Sequence, residues 1–490
     1  MKIRFIEEQL SLFSAASLDF NPLHLSAGYA RTTSSGERVV YGMLGFLACL
    51  REVALVPERV PSNVRIDFKS PLLLDVDYTI SVEKERSGDA RFALLDGSAS
   101  MFRARLQFDA GTPECADLSE TEIAPRQQAR KLEASDLAQR LSFGGTYGPA
   151  GAPYLKLLDA LGIDRRTWGD ALPLAALCSS YLTGMELPGE SATYSGLRLN
   201  IAAAPRKTPF AFEITSGSYN PQFGLAQSRF ALREGSSIWA NGEVSAFVRT
   251  PRSVAAALVA SGSGRFAGKS ALIVGASRGL GAAMAINLIA EGATVIGVYA
   301  RSDADAQQLM DSVRGLPGTL IMERGDASDL HWCAALKSRL EAKLDTLDLL
   351  VCNAAPAIQS LRVEEACYQR IQSYVEKGFA LVAAPLSAFL ERVAASQGCV
   401  LLVSSEAVNE PPPGWPHYVA MKSAVEGLVR TAAIANPKVS VLIARPGKIL
   451  TDLSDTPLGR LGAETPDAAA QRILGNVLKR GDPGTVQFCS

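Results

Sequence analysis

Two residues near the start of the chain have the types and spacing needed for acid–base chemistry. Asp19 and His24 lie on either side of Pro22, so a turn rather than a helix face can bring them to one pocket. A carboxylate and an imidazole together can remove an acidic proton and protonate a departing hydroxyl, as adding or eliminating water beside a thioester requires. For an isolated pair, the simpler interpretation is a helix-capping Asp and a surface His.

A second set of such residues lies near the other end of the chain. Tyr418 and Lys422 stand at i and i+4 in HYVAMKSA, so a helix would place both on one face. A lysine beside a phenol stabilises the phenolate and lowers the pKa of the tyrosine, which makes it a usable proton donor near neutral pH. Ser405 ends the apolar run GCVLLVSS and could hydrogen-bond a substrate carbonyl.

A glycine-rich turn precedes this second set. After the apolar run SALIV comes GASRGLG, which places Gly275, Gly279 and Gly281 at a strand-to-helix turn. Backbone N–H groups and a helix N-terminus can hold a pyrophosphate there, provided that no side chain blocks the approach. Because the turn stands between a predicted strand and a predicted helix, the motif indicates dinucleotide binding.

The residues after the second predicted strand bear on which dinucleotide is bound. This strand ends in Tyr299, Ala300 and Arg301, without the acidic residue that would accept a hydrogen bond from the ribose 2'-hydroxyl of NAD. Arg301 and Arg278 could instead pair with a 2'-phosphate, for which guanidinium geometry is suited. The pattern therefore favours NADP(H), although both arginines could simply face solvent.

Together, the C-terminal motifs resemble those of the short-chain dehydrogenases/reductases over about 220 residues. GASRGLG stands for the glycine turn, CNAA for the NNAG motif, and RPGKILTDL for the PG-x-x-x-T stretch. The resemblance, closest to 3-oxoacyl-thioester reductases, implies that Tyr418 protonates the carbonyl, that Ser405 positions it, and that Lys422 tunes Tyr418 and binds the nicotinamide ribose. The implied cofactor-binding residues are Gly275, Ser277, Arg278, Gly279, Leu280, Gly281, Arg301, Asp326, Asn353, Ala354, Tyr418, Lys422, Pro446, Gly447 and Thr451.

Two features depart from that family pattern. No Asn lies between Asn353 and Asn409, where the family usually has the Asn of its proton relay, and Val375 or Glu376 falls near that position. The C-terminal segment is also short, and its final strand is reduced to GTVQFCS. A degenerate, non-catalytic reductase is therefore an alternative.

The N-terminal segment SLDFNPLHLSAGYA, with VVYGML and DFKSP after it, resembles the MaoC-like hotdog hydratases and dehydratases. The resemblance implies that Asp19 and His24 form the acid/base dyad and that Asn21 orients them. It also implies that Gly42, at the start of a central helix, offers a backbone N–H to the thioester oxygen, where the helix dipole stabilises enolate charge. Tyr41 replaces a customary His.

The elements that must position these residues differ between the two ends of the chain. Six continuous apolar runs from SALIVGAS to VSVLIARPG, separated by helix-length segments, predict a doubly wound parallel sheet of Rossmann type. The segments before them contain short alternating runs, typical of antiparallel strands with one buried face. Each has one apolar helix-like stretch before its strands, Tyr41 to Val56 and Leu172 to Met185, and we expect a sheet wrapped round one helix in both, as in a double hotdog.

Length and composition agree with several domains. At 490 residues we expect about three. The predicted boundaries are residues 1–112 for a catalytic hotdog half, 113–136 for a linker, 137–250 for a non-catalytic half that closes the sheet and shapes the acyl tunnel, 251–267 for a second linker, and 268–490 for the NADP-binding ketoreductase.

Charge and residue usage limit the class of partner. The formal net charge of −1 offers no general basic field for nucleic acid or an anionic membrane. The N-terminus shows no signal-peptide pattern, and we expect no apolar stretch of about 18 residues that could span a membrane. The eight dispersed cysteines suggest a reducing compartment. We expect a cytoplasmic protein without a metal site, binding a small or carrier-bound substrate, and a homo-oligomer (dimer or tetramer).

The fusion itself suggests two consecutive reactions. A reductase that makes a 3-hydroxyacyl thioester, joined to a dehydratase that consumes one, would yield a 2-enoyl thioester on acyl carrier protein or CoA in fatty-acid-like or polyketide biosynthesis. One alternative is an enoyl-CoA hydratase and 3-hydroxyacyl-CoA dehydrogenase that runs oxidatively with NAD. Another is an acyl-binding scaffold with a relic reductase.

Overall fold

The computed structural model describes residues 1–55, 58–84, 89–120, 126–249, 263–341, 343–454, 456, 459–479 and 481–490. The chain forms two compact units, Met1–Pro251 and Arg252–Ser490. The first therefore contains both segments for which antiparallel strands were predicted, and the second contains the predicted parallel sheet.

The first unit is built on a ten-stranded sheet, in the order β1-β5-β6-β7-β3-β9-β12-β11-β10-β8, whose neighbouring strands are all antiparallel. Its strands are β1 Lys2–Arg4, β3 Arg59–Phe68, β5 Asp77–Lys84, β6 Ala90–Asp96, β7 Ala99–Ala110, β8 Ser142–Tyr147, β9 Ala192–Ile201, β10 Phe210–Asn220, β11 Leu225–Glu234 and β12 Ser237–Val248, and a separate two-stranded sheet joins β2 Val39–Val40 to β4 Leu72–Leu73.

The order of this sheet repeats about its centre. Five strands from residues 2–110 lie on one side and five from residues 142–248 on the other, and the two sets meet where β3 pairs with β9. In each set the strand at the centre is the first long strand after an apolar helix, α4 Gly42–Cys49 or α8 Ala171–Tyr181. The two segments for which a sheet and one apolar helix were predicted thus form two matching half-sheets.

The two predicted apolar stretches form helices that are almost wholly buried. The first stretch forms α4 followed by a 3-10 turn, Leu50–Glu52, so the helix is shorter than predicted. Val56, the predicted end, lies outside the described residues. The second continues from α8 into a π-helical turn, Leu182–Glu186. The other helices of this unit are α1 Glu7–Ser17, α2 Pro22–Leu25, α3 Ala27–Ala30, α5 Ala134–Leu137, α6 Gly151–Leu161 and α7 Arg165–Trp168.

The described part of the predicted linker 113–136 is held against the second half-sheet. Asp117 forms a bridge with Lys207, and Lys131 forms one with Gly189. The amide of Ala116 donates to the buried Asp170 carboxylate at 2.6 Å. These contacts are not those of a free linker. Residues 121–125 lie outside the described residues, as do 251–262 of the second predicted linker.

The second unit has a seven-stranded parallel sheet in the order β15-β14-β13-β16-β17-β18-β19. All six predicted parallel strands are present, which confirms the Rossmann-type sheet. The short run GTVQFCS also supplies a seventh strand. The strands are β13 Ser270–Val274, β14 Thr294–Tyr299, β15 Thr319–Arg324, β16 Leu349–Cys352, β17 Cys399–Val403, β18 Ser440–Ala444 and β19 Val486–Cys489.

Helices cover the sheet of the second unit and bury a core on each side of it. They are α9 Gly279–Ala290, α10 Asp303–Ser312, α11 Leu330–Glu341, α12 Tyr368–Ala395, α13 Pro416–Ala435 and α14 Pro466–Leu478. The strand order reverses between β13 and β16, and the crevice at such a reversal is where open sheets of this kind bind ligands.

The expectation that the chain has no apolar stretch long enough to span a membrane is wrong for one helix of the second unit. By length and composition alone, Glu365–Ala395 could cross a bilayer. Its residues Val382, Phe389 and Val393 are buried in the core beside the sheet, however. Packing in that core accounts for its apolar side, so the test is weak evidence for a membrane span.

Candidate functional sites in the two units

In the first unit, Asp19 is only 2% exposed and its carboxylate is held by hydrogen bonds from both halves. The amide of Asn21 donates to Oδ1 at 3.1 Å, and the Ser180 hydroxyl donates to Oδ2 at 2.8 Å. Burial raises the pKa of Asp19 to about 7, and both hydrogen bonds oppose that shift. Asp19 can therefore carry a proton near neutral pH.

His24 has the opposite bias. It lies in the short helix α2, and its Nδ1 is 2.8 Å from the carbonyl oxygen of Val39, so the neutral ring donates from Nδ1 and leaves Nε2 as an acceptor. Burial lowers the pKa of His24 to about 4. The two environments push the carboxyl and imidazole pKa values apart, so the carboxyl suits an acid and the imidazole a base.

Tyr41 connects these two residues. Its hydroxyl donates to the backbone carbonyl of Asp19 at 2.7 Å, and its ring stacks on His24 with the centroids 3.8 Å apart. Tyr41, which replaces a customary His, thus forms one wall of the site and holds the turn that carries Asp19 and His24.

Asn21 lies between the predicted dyad residues and ties their turn to the second half. Its Nδ2 donates to the carbonyls of Gly184 and Glu190, at 3.0 and 3.2 Å, and its Oδ1 caps α2 through the amide of Leu23. The position agrees with the predicted orienting role, but the structure adds that the orientation depends on residues more than 160 positions away.

Gly42 begins α4, as predicted, but its surroundings are crowded. A Cβ at this position would lie 2.8 Å from the Phe68 ring, which stacks in turn on Tyr194 of β9. The crowding gives a physical reason for glycine at the helix start.

Sequence reasoning missed two residues of this site, because the second segment carries no acid/base motif. Ser180 at the end of α8 bonds Asp19, and Gly184 in the π-helical turn lies so close that a Cβ there would be 2.6 Å from Asp19 Oδ1. The apolar helix pattern of Leu172 to Met185 located the element but gave no signal for this contact.

In the second unit, the glycine turn is compressed as a phosphate cradle requires. Gly275 and Gly279 have positive φ, +82° and +56°, and a Cβ at Gly281 would lie 2.0 Å from the Gly275 carbonyl oxygen. Asn353 Nδ2 donates to that same carbonyl at 2.9 Å, and a Cβ at Gly275 would meet Ala354. The turn thus packs directly on the predicted CNAA motif.

Residues after β18 reach the same turn. A Cβ at Gly279 would lie 3.2 Å from Thr451 Cγ2, and the carbonyl of Pro446 accepts a hydrogen bond from the amide of Glu406, which follows Ser405. A Cβ at Gly447 would in turn meet Glu406 Oε2 at 3.0 Å. The predicted stretch Pro446, Gly447 and Thr451 therefore joins the glycine turn to the Ser405 segment.

The remaining predicted cofactor residues line the start of α9 and the ends of β14 and β15. Leu280 and Ser277 are buried, whereas Arg301 is exposed and lies near Asp326, whose pKa it helps to lower after the hydrogen bonds from Ser328. Arg278 is not simply solvent-facing, because its Nη1 lies 3.4 Å from Asp452 Oδ2.

An acid does stand close to the end of β14. Asp303 begins α10, but its carboxylate accepts from the Tyr299 hydroxyl at 3.0 Å and pairs with Arg324 at 3.0 Å. Asp303 is exposed, as Arg301 is, but its carboxylate is already engaged by Tyr299 and Arg324.

Ser405, Tyr418 and Lys422 come together at the carboxyl end of β17. The Ser405 hydroxyl interacts with the Tyr418 phenol, and Lys422 Nζ donates to the Val403 carbonyl at 2.7 Å. Lys422 is 3% exposed, and burial lowers its pKa to about 8. Nζ is 5.7 Å from the centroid of the Tyr418 ring.

The predicted effect of Lys422 on the phenol is wrong for this structure. The pKa of Tyr418 is raised, because burial outweighs the opposing hydrogen bond from Ser405, and the lysine is engaged with a backbone carbonyl. Tyr418 is thus a protonated phenol, available as a donor, beside a buried cation that can approach the groups bound next to it.

Near the position of the missing relay Asn, α12 makes a close contact with α13. A Cβ at Gly378 would lie 2.6 Å from Met421, the neighbour of Lys422, and Tyr374 donates to the carbonyl of Pro356 at 3.0 Å. Val375 and Glu376 stand beside these residues and offer no amide side chain there.

No group of three or more metal-binding side chains occurs in the part of the chain that the structure describes.

Comparison with known proteins places the second unit. The family model described as short chain dehydrogenase matches residues 269–457. A hydroxynaphthalene reductase-like protein of Metarhizium acridum is 30% identical over 194 residues, 39% of this chain and 71% of that protein. A 3-oxoacyl-acyl-carrier-protein reductase of Staphylococcus aureus is 28% identical over 226 residues, 42% of this chain and 91% of that protein. An alcohol dehydrogenase from Thermococcus sibiricus, solved with 5-hydroxy-NADP, is 26% identical, covering 45% of this chain and 94% of its own, with a TM-score of 0.40.

The parallel sheet, the glycine cradle and the Ser405, Tyr418 and Lys422 cluster define a dinucleotide-dependent oxidoreductase unit. Through this unit the chain belongs to the short-chain dehydrogenase family.

Proposed function

We propose that the chain is a bifunctional enzyme in which the second unit reduces a 3-oxoacyl thioester with NADPH and the first unit dehydrates the 3-hydroxyacyl product. The observation that carries the proposal is that each unit holds its own acid/base set, Asp19 with His24 in one and Ser405 with Tyr418 and Lys422 in the other. The acyl carrier is acyl carrier protein or CoA, as the name of the Staphylococcus aureus relative suggests for the first of these.

For the reductase, the residues present fit a bound dinucleotide phosphate. Gly275, Gly279 and Gly281 permit the tight turn that brings the N-terminus of α9 to the end of β13, where a pyrophosphate can bind, and Arg301 offers an exposed guanidinium to a 2'-phosphate. When bound, NADPH supplies the hydride.

The chain's own residues then handle the carbonyl. The Ser405 hydroxyl donates to the substrate oxygen and holds it beside Tyr418, whose neutral phenol gives up its proton to that oxygen. The buried Lys422, whose Nζ lies 5.7 Å from the centroid of the Tyr418 ring, is suited to hold the nicotinamide ribose.

For the dehydratase, the two half-sheets and their apolar helices fit a double hotdog whose first half carries the dyad. The Nε2 of neutral His24 removes the acidic proton next to the thioester, and protonated Asp19 gives its proton to the departing hydroxyl. The first turn of α4, beginning at Gly42, faces the enolate charge with its helix N-terminus.

Two assays test the two parts. With acetoacetyl-CoA, oxidation of NADPH in strong preference to NADH supports the reductive direction, and a strong NADH preference supports the oxidative alternative instead. With 3-hydroxybutyryl-CoA, a Tyr418→Phe variant should still form crotonyl-CoA. If neither NADPH oxidation nor crotonyl-CoA formation occurs, the result supports the alternative of an acyl-binding scaffold with a relic reductase.

A further inference from the structure

The half of the first unit that lacks an acid/base motif nevertheless reaches the carboxylate of Asp19. Ser180 lies in the last turn of α8 in this half, and it is 161 positions away from Asp19 in the chain. Its hydroxyl is 2.8 Å from Asp19 Oδ2, and both residues are buried, at 6% and 2% exposure. A hydrogen bond to a carboxylate is stronger when both groups are buried away from water, because the local dielectric constant is low.

We propose that Ser180 is a positioning residue for dehydration, which holds Asp19 in place and stabilises the carboxylate that forms when Asp19 gives its proton to the leaving hydroxyl. This inference rests on the proposed dehydratase function. It assigns the second half a part in the chemistry, beyond closing the sheet and shaping a tunnel.

The geometry around Ser180 favours a specific role over general packing. Gly184, one helical turn after Ser180, packs against the same carboxylate and limits its movement. The Ser180 hydroxyl donates a hydrogen bond to Oδ2 of that carboxylate. The Asn21 amide bonds the other oxygen at 3.1 Å. One oxygen is thus held from its own turn and the other from the opposite half.

Other groups that face Asp19 do not change charge where the test is made. They are the phenols of Tyr41, Tyr147 and Tyr194, on α4's first turn, β8 and β9. Burial raises the pKa of each phenol, so all three stay neutral. These neighbours of Asp19 therefore stay uncharged while its carboxyl titrates. A substitution at Ser180 should then appear directly as a change in the pKa of Asp19.

The test is the pH dependence of kcat for dehydration of 3-hydroxybutyryl-CoA by the full chain with Ser180→Ala. Asp19 must be protonated to act as the acid, so activity is lost as pH rises through its pKa. Because the Ser180 hydrogen bond lowers that pKa, its removal should move the alkaline limb upward by about one pH unit. The maximal kcat should fall about tenfold, since the carboxylate product of proton transfer loses a donor.

The matched control is Ser179→Ala. Ser179 precedes Ser180 in α8 and is equally buried, but its hydroxyl donates to the Ala176 carbonyl at 2.8 Å. This variant should leave the alkaline limb where it is. Ser180→Cys keeps a weak S–H donor in a similar volume and should give a smaller shift than Ser180→Ala, and it serves if the alanine variant does not fold.

The outcomes separate this inference from the function on which it rests. If Asp19→Asn abolishes dehydration but Ser180→Ala and Ser180→Cys leave the alkaline limb unmoved, the role of Ser180 is refuted and the dehydratase stands. A loss of kcat without a shift of the limb also refutes it, because that is the result of a packing defect. If Asp19→Asn retains dehydration, the proposed function itself fails.

Discussion

A methyl group added at Gly184 should displace the carboxylate of Asp19 and stop dehydration without affecting reduction. The new Cβ would lie 2.6 and 2.8 Å from the two carboxylate oxygens and 3.0 Å from Asp19 Cγ. All three distances are well short of van der Waals contact, so Asp19 or the π-helical turn must move by roughly half an ångström or more.

The expected size of the effect follows from that movement. Overpacking of this kind costs about 1–3 kcal/mol of folding stability, which a well-folded unit can tolerate. Displacing an acid group by up to about 1 Å can cost about 100-fold in rate, so we expect Gly184→Ala to lower kcat for dehydration by about 30- to 100-fold.

The assay is crotonyl-CoA formation from 3-hydroxybutyryl-CoA, with NADPH-dependent reduction of acetoacetyl-CoA measured on the same sample. Reduction should be unchanged, since it depends on the second unit. Gly196→Ala is the control in the same sheet, because a Cβ there would meet only the Ile66 carbonyl at 3.4 Å and Ser245 Cβ at 3.9 Å. If Gly184→Ala is folded and dehydrates within about twofold of the wild-type rate, the placement of Asp19 against the second half is wrong.

Three more predictions concern the two sites. The kcat for dehydration by the wild-type chain should be greatest between about pH 4 and 7, because Asp19 must be protonated and His24 neutral. Above pH 7 it should fall by about tenfold per pH unit as Asp19 loses its proton. A kcat that rises above pH 7 would contradict these roles. Gly281→Ala should abolish the fluorescence change on NADPH binding, because its Cβ would meet the turn's backbone, whereas Gly475→Ala, with open space around it, should bind normally. Arg301→Asp should weaken NADPH about 10- to 100-fold and improve NADH, measured as the ratio of kcat/KM values; an unchanged ratio would show that Arg301 does not contact a 2'-phosphate.

The second unit was the more predictable from sequence, because its signals are local. Each parallel strand is a continuous apolar run between helix-length segments, and the glycine turn, Tyr418 and Lys422 are close in sequence to the elements that carry them. The spacing of Tyr418 and Lys422 predicted a lowered pKa for Tyr418, and this was wrong. The pKa of Tyr418 is raised, because it depends on how deeply the fold buries the phenol.

The first unit was predictable in outline only. Asp19, His24 and Asn21 lie in one short motif, and the structure places them in one turn. Asp19, however, accepts a hydrogen bond from Ser180, and that contact depends on how the two half-sheets pair through β3 and β9. A serine in an apolar helix carries no sign of such a partner.

The most direct test of the central claim is mass spectrometry of the products that one chain forms from a 3-oxoacyl thioester and NADPH. The wild-type chain should give the 2-enoyl thioester, Asp19→Asn should stop at the 3-hydroxyacyl thioester, and Tyr418→Phe should leave the 3-oxoacyl thioester unchanged. A 2-enoyl product from the Asp19→Asn variant, or none from the wild-type chain, would contradict the account.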